Sequence, residues 1–312
     1  MGSTGQQNEA KVAIITGGTS GIGLFLARDL HAKGWKVALV GRRAEVGLTK
    51  AAELDPAGET AVFEQCDVAS FASQAAMFKK VWARFGRLDL LIANAGGVDS
   101  GSWYNFERKG ASVDDIPPEP NSVCTDSHFK GVMWGTVLAT HFMRHNVVPG
   151  GKIVATTSML GVHPCPSFPE YGAAEAGINH WVRVMAPLLK SKENITINAV
   201  MMGPVVTPVM PGLGKAFMPE DLVLPATILK AYHRFIDDDT RTGETVEAAH
   251  NGLFPYEAPE DQSGSKRRNM LVYEPWFVWM HGEASGLSDA MQEPPEGNAE
   301  DSGRIKEFEV GM

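Results

Sequence analysis

The residues whose types and spacing most plainly suggest chemistry are glycines. Gly17, Gly21 and Gly23 lie in the stretch Thr16-Gly-Gly-Thr-Ser-Gly-Ile-Gly23. Such residues let a backbone turn tightly, approach a pyrophosphate, and pack a helix closely against a strand. The apolar run Val12 to Ile15 before them reads as a buried strand, and Leu24 to Lys33 after them as a helix. That helix would aim its first N–H groups and positive dipole end at a phosphate, so the stretch predicts a bound dinucleotide. Other candidate donors form no metal site: His141 and His145 sit four apart with no third ligand, and Cys66, Cys124 and Cys165 lack ligand spacing.

The positioning elements alternate. Strands are expected at Val37 to Val40, Ala61 to Gln65, Leu88 to Ile92, Lys152 to Thr156 and Ile195 to Val200. Helices are expected at Ser73 to Phe85, Ser127 to Arg144 and Tyr171 to Leu189. This rhythm implies right-handed βαβ units in a doubly wound parallel α/β sheet, with ligands at the strands' carboxyl ends. Two regions depart from it. Residues 97–126 form a long Gly-, Pro- and acid-rich connection carrying Trp103, Tyr104 and Phe106, which either cap a substrate or pack the loop down. After Thr207 come a helix-like stretch from Ala226 to Phe235, a possible strand near Thr242 to Val246, and an acidic tail. The aromatic patch Leu271 to Met280 would cover an active site or form a core strand. The expected organisation is a disordered 1–10, one domain over 11–255 with a substrate lid at 208–240, and a partly disordered extension over 256–312.

Composition narrows the function. The net charge of −9 argues against a nucleic-acid partner, and no apolar run is long enough to span a membrane. Sparse, unpaired cysteines and a polar N-terminus predict a cytoplasmic protein.

Several ordered motifs over roughly residues 10 to 207 resemble the classical short-chain dehydrogenase/reductases, or SDRs. Thr16 to Gly23 matches that family's cofactor loop, which implies contacts from Gly17, Thr19, Ser20, Gly21, Ile22 and Gly23. Asp67-Val68 matches its adenine-side pair, and Asn94-Ala95-Gly96 its fourth-strand ending. Gly203, Val205 and Thr207 fall in its turn over the nicotinamide. Ser158 and Tyr171, thirteen apart, match its catalytic serine and tyrosine. The resemblance implies a Rossmann-type sheet, hydride chemistry on a nicotinamide, and a homodimer or homotetramer paired through the long helices. Where NAD-preferring relatives carry an acid, this chain has Gly41, followed by Arg42 and Arg43. Guanidinium groups there favour NADP over NAD, since they can clamp a 2′-phosphate.

Two positions depart from the family. A lysine is expected four residues after the tyrosine, and Glu175 stands there; the long helix should carry an asparagine where His128 falls. Without the cation and beside a carboxylate, the Tyr171 phenol should be a poor base. Three readings follow. The first is a reductase, acting on a carbonyl or C=N of a bulky hydrophobic metabolite, with Tyr171 as proton donor and Ser158 holding the oxygen. The second is a non-redox cyclase, isomerase, dehydratase or epimerase using Tyr171, Ser158, His128 and Glu175. The third is an inactive dinucleotide-binding scaffold. His163 and Cys165 could line the pocket or touch solvent. Met201, Met202 and Met210 suit an adaptable apolar wall or ordinary core.

Overall fold

The computed structural model describes residues 10–210, 212–260, 263–265 and 276–287. The chain divides into two units, Met1–Tyr256 and Glu257–Met312. In the second, residues 276–281 are helical; Leu271 and Tyr273 of the aromatic patch lie outside the described residues, as do residues 1–9 and the end of the tail from 288.

The first unit is an eight-stranded sheet of order β3-β2-β1-β4-β5-β6-β7-β8. The strands are β1 Val12–Thr16, β2 Lys36–Gly41, β3 Ala61–Gln65, β4 Leu90–Ala93, β5 Gly151–Ser158, β6 Ile195–Met202, β7 Thr245–Ala249 and β8 Gly252–Tyr256. Neighbours from β3 through β7 are parallel, and β8 turns back antiparallel on β7. The helices are α1 Gly21–Ala32, α2 Ala44–Leu54, α3 Phe71–Phe85, α4 Gly131–Met143, α5 Pro169–Glu193, α6 Leu213–Ala216 and α7 Pro225–Ile236. This is the expected Rossmann-type architecture.

Alternation along β1 shows why both faces are covered. Val12 and Ile14 join a core with Phe78 of α3, Phe142 of α4 and Ile178 of α5, whereas Ala13 and Ile15 join one with Leu26 of α1 and Phe235 of α7. Strands buried on both faces read as continuous apolar runs, which is what the sequence shows. Strand order reverses between β1 and β4, so the connections leaving their carboxyl ends run to opposite faces of the sheet and leave a crevice there.

Four expectations change. The helix expected over 127–144 begins as a π-helical turn, Thr125–Lys130, before α4. Helix α2 was not anticipated. The strand near Thr242 to Val246 starts at Thr245 and is joined by a further strand, β8. The 208–240 segment divides: Pro208, Val209, Met210, Leu213 and Phe217 border the crevice, while Ile228, Ala231, Tyr232 and Phe235 of α7 are core. Among the described residues, no helix is long and apolar enough to cross a membrane, and no group of side chains could hold a metal ion.

Candidate active site

The crevice is a cavity of about 1010 Å³ at the carboxyl ends of the strands. Its nucleotide end is built around α1. Ser20 at the N-cap makes no side-chain capping bond, which leaves the first N–H groups of the helix for a ligand. Gly17 has φ +67°, and a Cβ on Gly23 would lie 2.5 Å from the Gly17 carbonyl oxygen, so helix and turn approach in a way only glycine allows. Gly17, Thr19, Ser20, Gly21, Ile22, Asp67, Val68, Ala95, Gly96, Gly203, Val205 and Thr207 all border the cavity. Gly23 does not, and its part is close packing. This cradle of orphan N–H groups and bare backbone fits a dinucleotide pyrophosphate.

Asn94 borders the cavity but has structural duties. Its amide donates to the Thr16 carbonyl at 3.0 Å, and its side-chain oxygen accepts from Thr156 at 3.1 Å, tying β1 to β5. At the end of β2, Arg42 and Arg43 are exposed at the cavity edge. A Cβ on Gly41 would lie 3.1 Å from Thr19, so the acidic side chain expected of NAD-preferring relatives would crowd that threonine.

At the other end stand Ser158, Tyr171, Glu175 and His128. Ser158 closes β5, where its hydroxyl accepts from the Leu160 N–H at 3.2 Å. Tyr171 lies in the first turn of α5, and Glu175 one turn further on the same face. His128 and Glu175 meet: His128 Nδ1 lies 2.9 Å from Glu175 Oε1. The other carboxylate oxygen, Oε2, is buried with no hydrogen-bond partner in the protein. The His128 ring meets Tyr171 edge to face, with centroids 5.2 Å apart.

Space and backbone polarity are arranged around the imidazole. A Cβ on Gly96 would fall 1.9 Å from the His128 ring, so only glycine at 96 admits it. His128 Nε2 faces both the carbonyl oxygen of Gly97, at 2.7 Å, and its amide nitrogen, at 2.5 Å. Protonated, Nε2 donates to the carbonyl; deprotonated, it accepts from the N–H. Gly97 thus offers a partner to each state, which suits a residue that holds a proton in turn.

The electrostatics follow from burial and charge. Burial acts to lower the His128 pKa, but Glu175, the Gly97 backbone and Glu170 together outweigh it and the net direction is upward. Burial is also the largest influence on Tyr171, followed by the Glu175 charge; both raise the phenol well above its ordinary value, while the Ser158 hydroxyl pulls the other way. Tyr171 therefore stays protonated across working pH, an acid in waiting and a poor base.

A raised histidine pKa contributes stability that is fully present below the unfolded value of about 6.5 and is lost as pH rises through the folded value. Glu175→Gln should therefore melt below the wild type at acid pH, and the gap should close as pH rises. Each kcal/mol of difference appears as about 2–4 °C in Tm for a domain of this size. Thermal melts at acid, neutral and alkaline pH check this.

Apolar walls border this end of the cavity: Val98, Met159, Leu160, Phe168, Met202, Met210 and Phe217, with Cys165 beside them. Met201 is core and His163 is exposed, neither bordering the cavity. Trp103, Tyr104 and Phe106 do not border it either; the Tyr104 hydroxyl donates to the Pro166 carbonyl at 2.8 Å, holding the long loop against the approach to α5. Asp99 is a contributor that sequence reasoning missed. It accepts the Glu170 and Tyr171 N–H groups, but nothing local marks it as their cap.

Comparisons with known proteins agree with this architecture. Residues 11–216 match the short chain dehydrogenase family model. The Penicillium rubens protein named Short-chain dehydrogenase/reductase prx6 is 44% identical over 298 residues, covering 92% of this chain and 99% of that protein. The human 15-hydroxyprostaglandin dehydrogenase [NAD(+)] is 33% identical over 211 residues, 66% of this chain and 72% of its own. A crystal structure of a short-chain type dehydrogenase/reductase from Mycobacterium marinum shares the fold, with a TM-score of 0.66 at 23% identity over 80% of this chain and 96% of its own. With its nucleotide cradle, sheet order and matched length together, this chain belongs to the short-chain dehydrogenase/reductase family of oxidoreductases.

Proposed function

We propose that this protein is an NADP(H)-dependent reductase acting on a carbonyl, or a C=N group, of a bulky hydrophobic specialised metabolite. The observation that carries the reading is the Tyr171 phenol and the Ser158 hydroxyl lining one cavity, backed by a buried histidine–carboxylate pair. A bound nicotinamide would supply the hydride. Ser158 holds the substrate oxygen, and Tyr171 gives it a proton as the hydride arrives. Glu175 and His128 hold the proton that restores the phenol. The neighbour of the phenol is the Glu175 carboxyl, which disfavours a phenolate, so reduction is favoured over alcohol oxidation. The apolar walls suit a bulky, hydrophobic substrate. Absorbance loss at the reduced-nicotinamide band with NADPH and a panel of hydrophobic carbonyls tests the reading; nucleotide binding without turnover on any of them counts against it.

The unpartnered Glu175 Oε2 favours a second reading, in which Glu175, His128, Tyr171 and Ser158 perform a non-redox isomerisation, cyclisation, dehydration or epimerisation. Product formed with no change in the nicotinamide band would select it.

The proposed NADP preference rests on Arg42, Arg43 and the crowding at Gly41. Replacing both arginines by alanine should raise the KM for NADPH by about 10- to 100-fold, the usual worth of one or two charge-assisted hydrogen bonds, with the KM for NADH nearly unchanged. Steady-state kinetics with both nucleotides measure this. We further propose a cytoplasmic homodimer or homotetramer. Val137 of α4 and Val184 of α5 are each more than half exposed, which supports pairing through those helices.

A further inference from the structure

We propose that Asp99 is a positioning residue for Tyr171, through which the long loop 97–126 sets the start of helix α5. The N-cap of α5 is Phe168, which has no side-chain acceptor, and Pro169 follows it. The first helix N–H groups, those of Glu170 and Tyr171, are taken by a carboxylate 71 and 72 residues away: Asp99 Oδ1 at 3.1 Å and Oδ2 at 3.0 Å. Both oxygens are thus committed to the backbone at the positive end of the helix, a charge-assisted arrangement.

The contact is part of a closed circuit. Two residues before Asp99, the Gly97 backbone faces His128 Nε2. Glu170, next to Tyr171, accepts the Thr125 N–H through Oε1 at 2.7 Å, at the first residue of the π-helical turn that carries His128. Cys124 Sγ, ahead of that turn, lies 3.7 Å from the Gly97 carbonyl. Loop start, helix start and π-helical turn are therefore pinned to one another, with Tyr171 and His128 both on the circuit. Asp99 itself does not border the cavity. It follows the wall residue Val98 in the chain, and acts by fixing the backbone from which the phenol projects. Because the loop supplies the acid's anchor, movement of the loop and placement of the proton donor are one event.

The proposal rests on the reading that Tyr171 donates a proton, and the test separates the two. Asp99→Ala and Asp99→Asn are compared with wild type in the full chain, using NADPH with phenanthrenequinone and, independently, amide hydrogen exchange. Displacing the phenol slightly should cost rate more than binding, so Asp99→Ala should lose about tenfold or more in kcat while the KM for NADPH stays within about twofold. Asp99→Asn keeps one acceptor oxygen and should recover most of that loss. In Asp99→Ala, exchange over 168–173 and over 97–105 should rise together by about tenfold, with α1 unchanged. If wild type does not reduce the quinone, the reductase reading loses support and exchange alone judges Asp99. Unchanged exchange over 168–173 overturns the proposal. So does a joint loss of kcat, NADPH binding and α1 protection, which would mark a general structural role; where Asp99→Ala does not fold, Asp99→Asn carries the same comparison.

Discussion

Tyr171→Phe is expected to slow substrate reduction by about 10²- to 10⁴-fold, the usual contribution of a positioned general acid, with NADPH binding nearly unchanged. The variant removes one oxygen from a partly buried side chain whose ring packs edge to face on His128, so the fold should be intact. Ser158 would still hold the substrate oxygen, but its developing charge would have no proton to take. Single-turnover mixing, following the nicotinamide band, isolates this step from product release. A rate within a few-fold of wild type would remove Tyr171 from the chemistry and leave the non-redox reading without its acid as well.

The second large effect is expected from reversing the charge at position 175. In Glu175→Lys a cation enters a site only 1% exposed and meets His128, which lies 2.9 Å from the present carboxylate. Alone, that variant should drive the proton off His128 and lose stability. Paired with His128→Asn, it replaces an acid–imidazole pair by a cation and a neutral amide. A unit charge about 6 Å from a phenol, at an effective dielectric near 20, is worth roughly 3 kcal/mol. Exchanging an anion for a cation counts nearly twice that, reduced by whatever His128 now screens. The Tyr171 phenol should fall by about two units or more, and alcohol oxidation at alkaline pH should rise at least about tenfold in the double variant. The two substitutions should be strongly non-additive, as touching residues usually are. Oxidation that stays at the wild-type level would show that Glu175 does not govern the phenol. Loss of the native conversion in the double variant, with product otherwise formed without nicotinamide oxidation, would favour the non-redox reading.

The sequence made the nucleotide end legible because its signals are local. A turn that needs glycine at 17 and 23 sits between a strand and a helix that periodicity alone identifies. The proton-handling end was legible only in its membership: His128 and Glu175 each stood out as a departure, but 47 residues and two elements separate them, and no pattern on either side reports a contact at 2.9 Å. Asp99 was hidden for the same reason. A helix cap is recognised beside the helix, and here the cap arrives from another loop. Helix α2 escaped because only Gly47 and Ala51 of its eleven residues are buried, which leaves little apolar stripe to read. Strand β8 contains Pro255 and, among the described residues, pairs only with β7, an edge position where proline is tolerated but strand patterning is weak.

The space left by Gly96 has a consequence for how such a site can be altered. An imidazole at 128 and any side chain at 96 exclude one another, because a single added carbon would overlap the ring. Substitutions at these two positions therefore have a permitted order: 128 can change to a smaller amide first, whereas 96 can change only after it has done so. The bare backbone at 96 is thus locked for as long as the histidine stands, while the histidine is not locked by it.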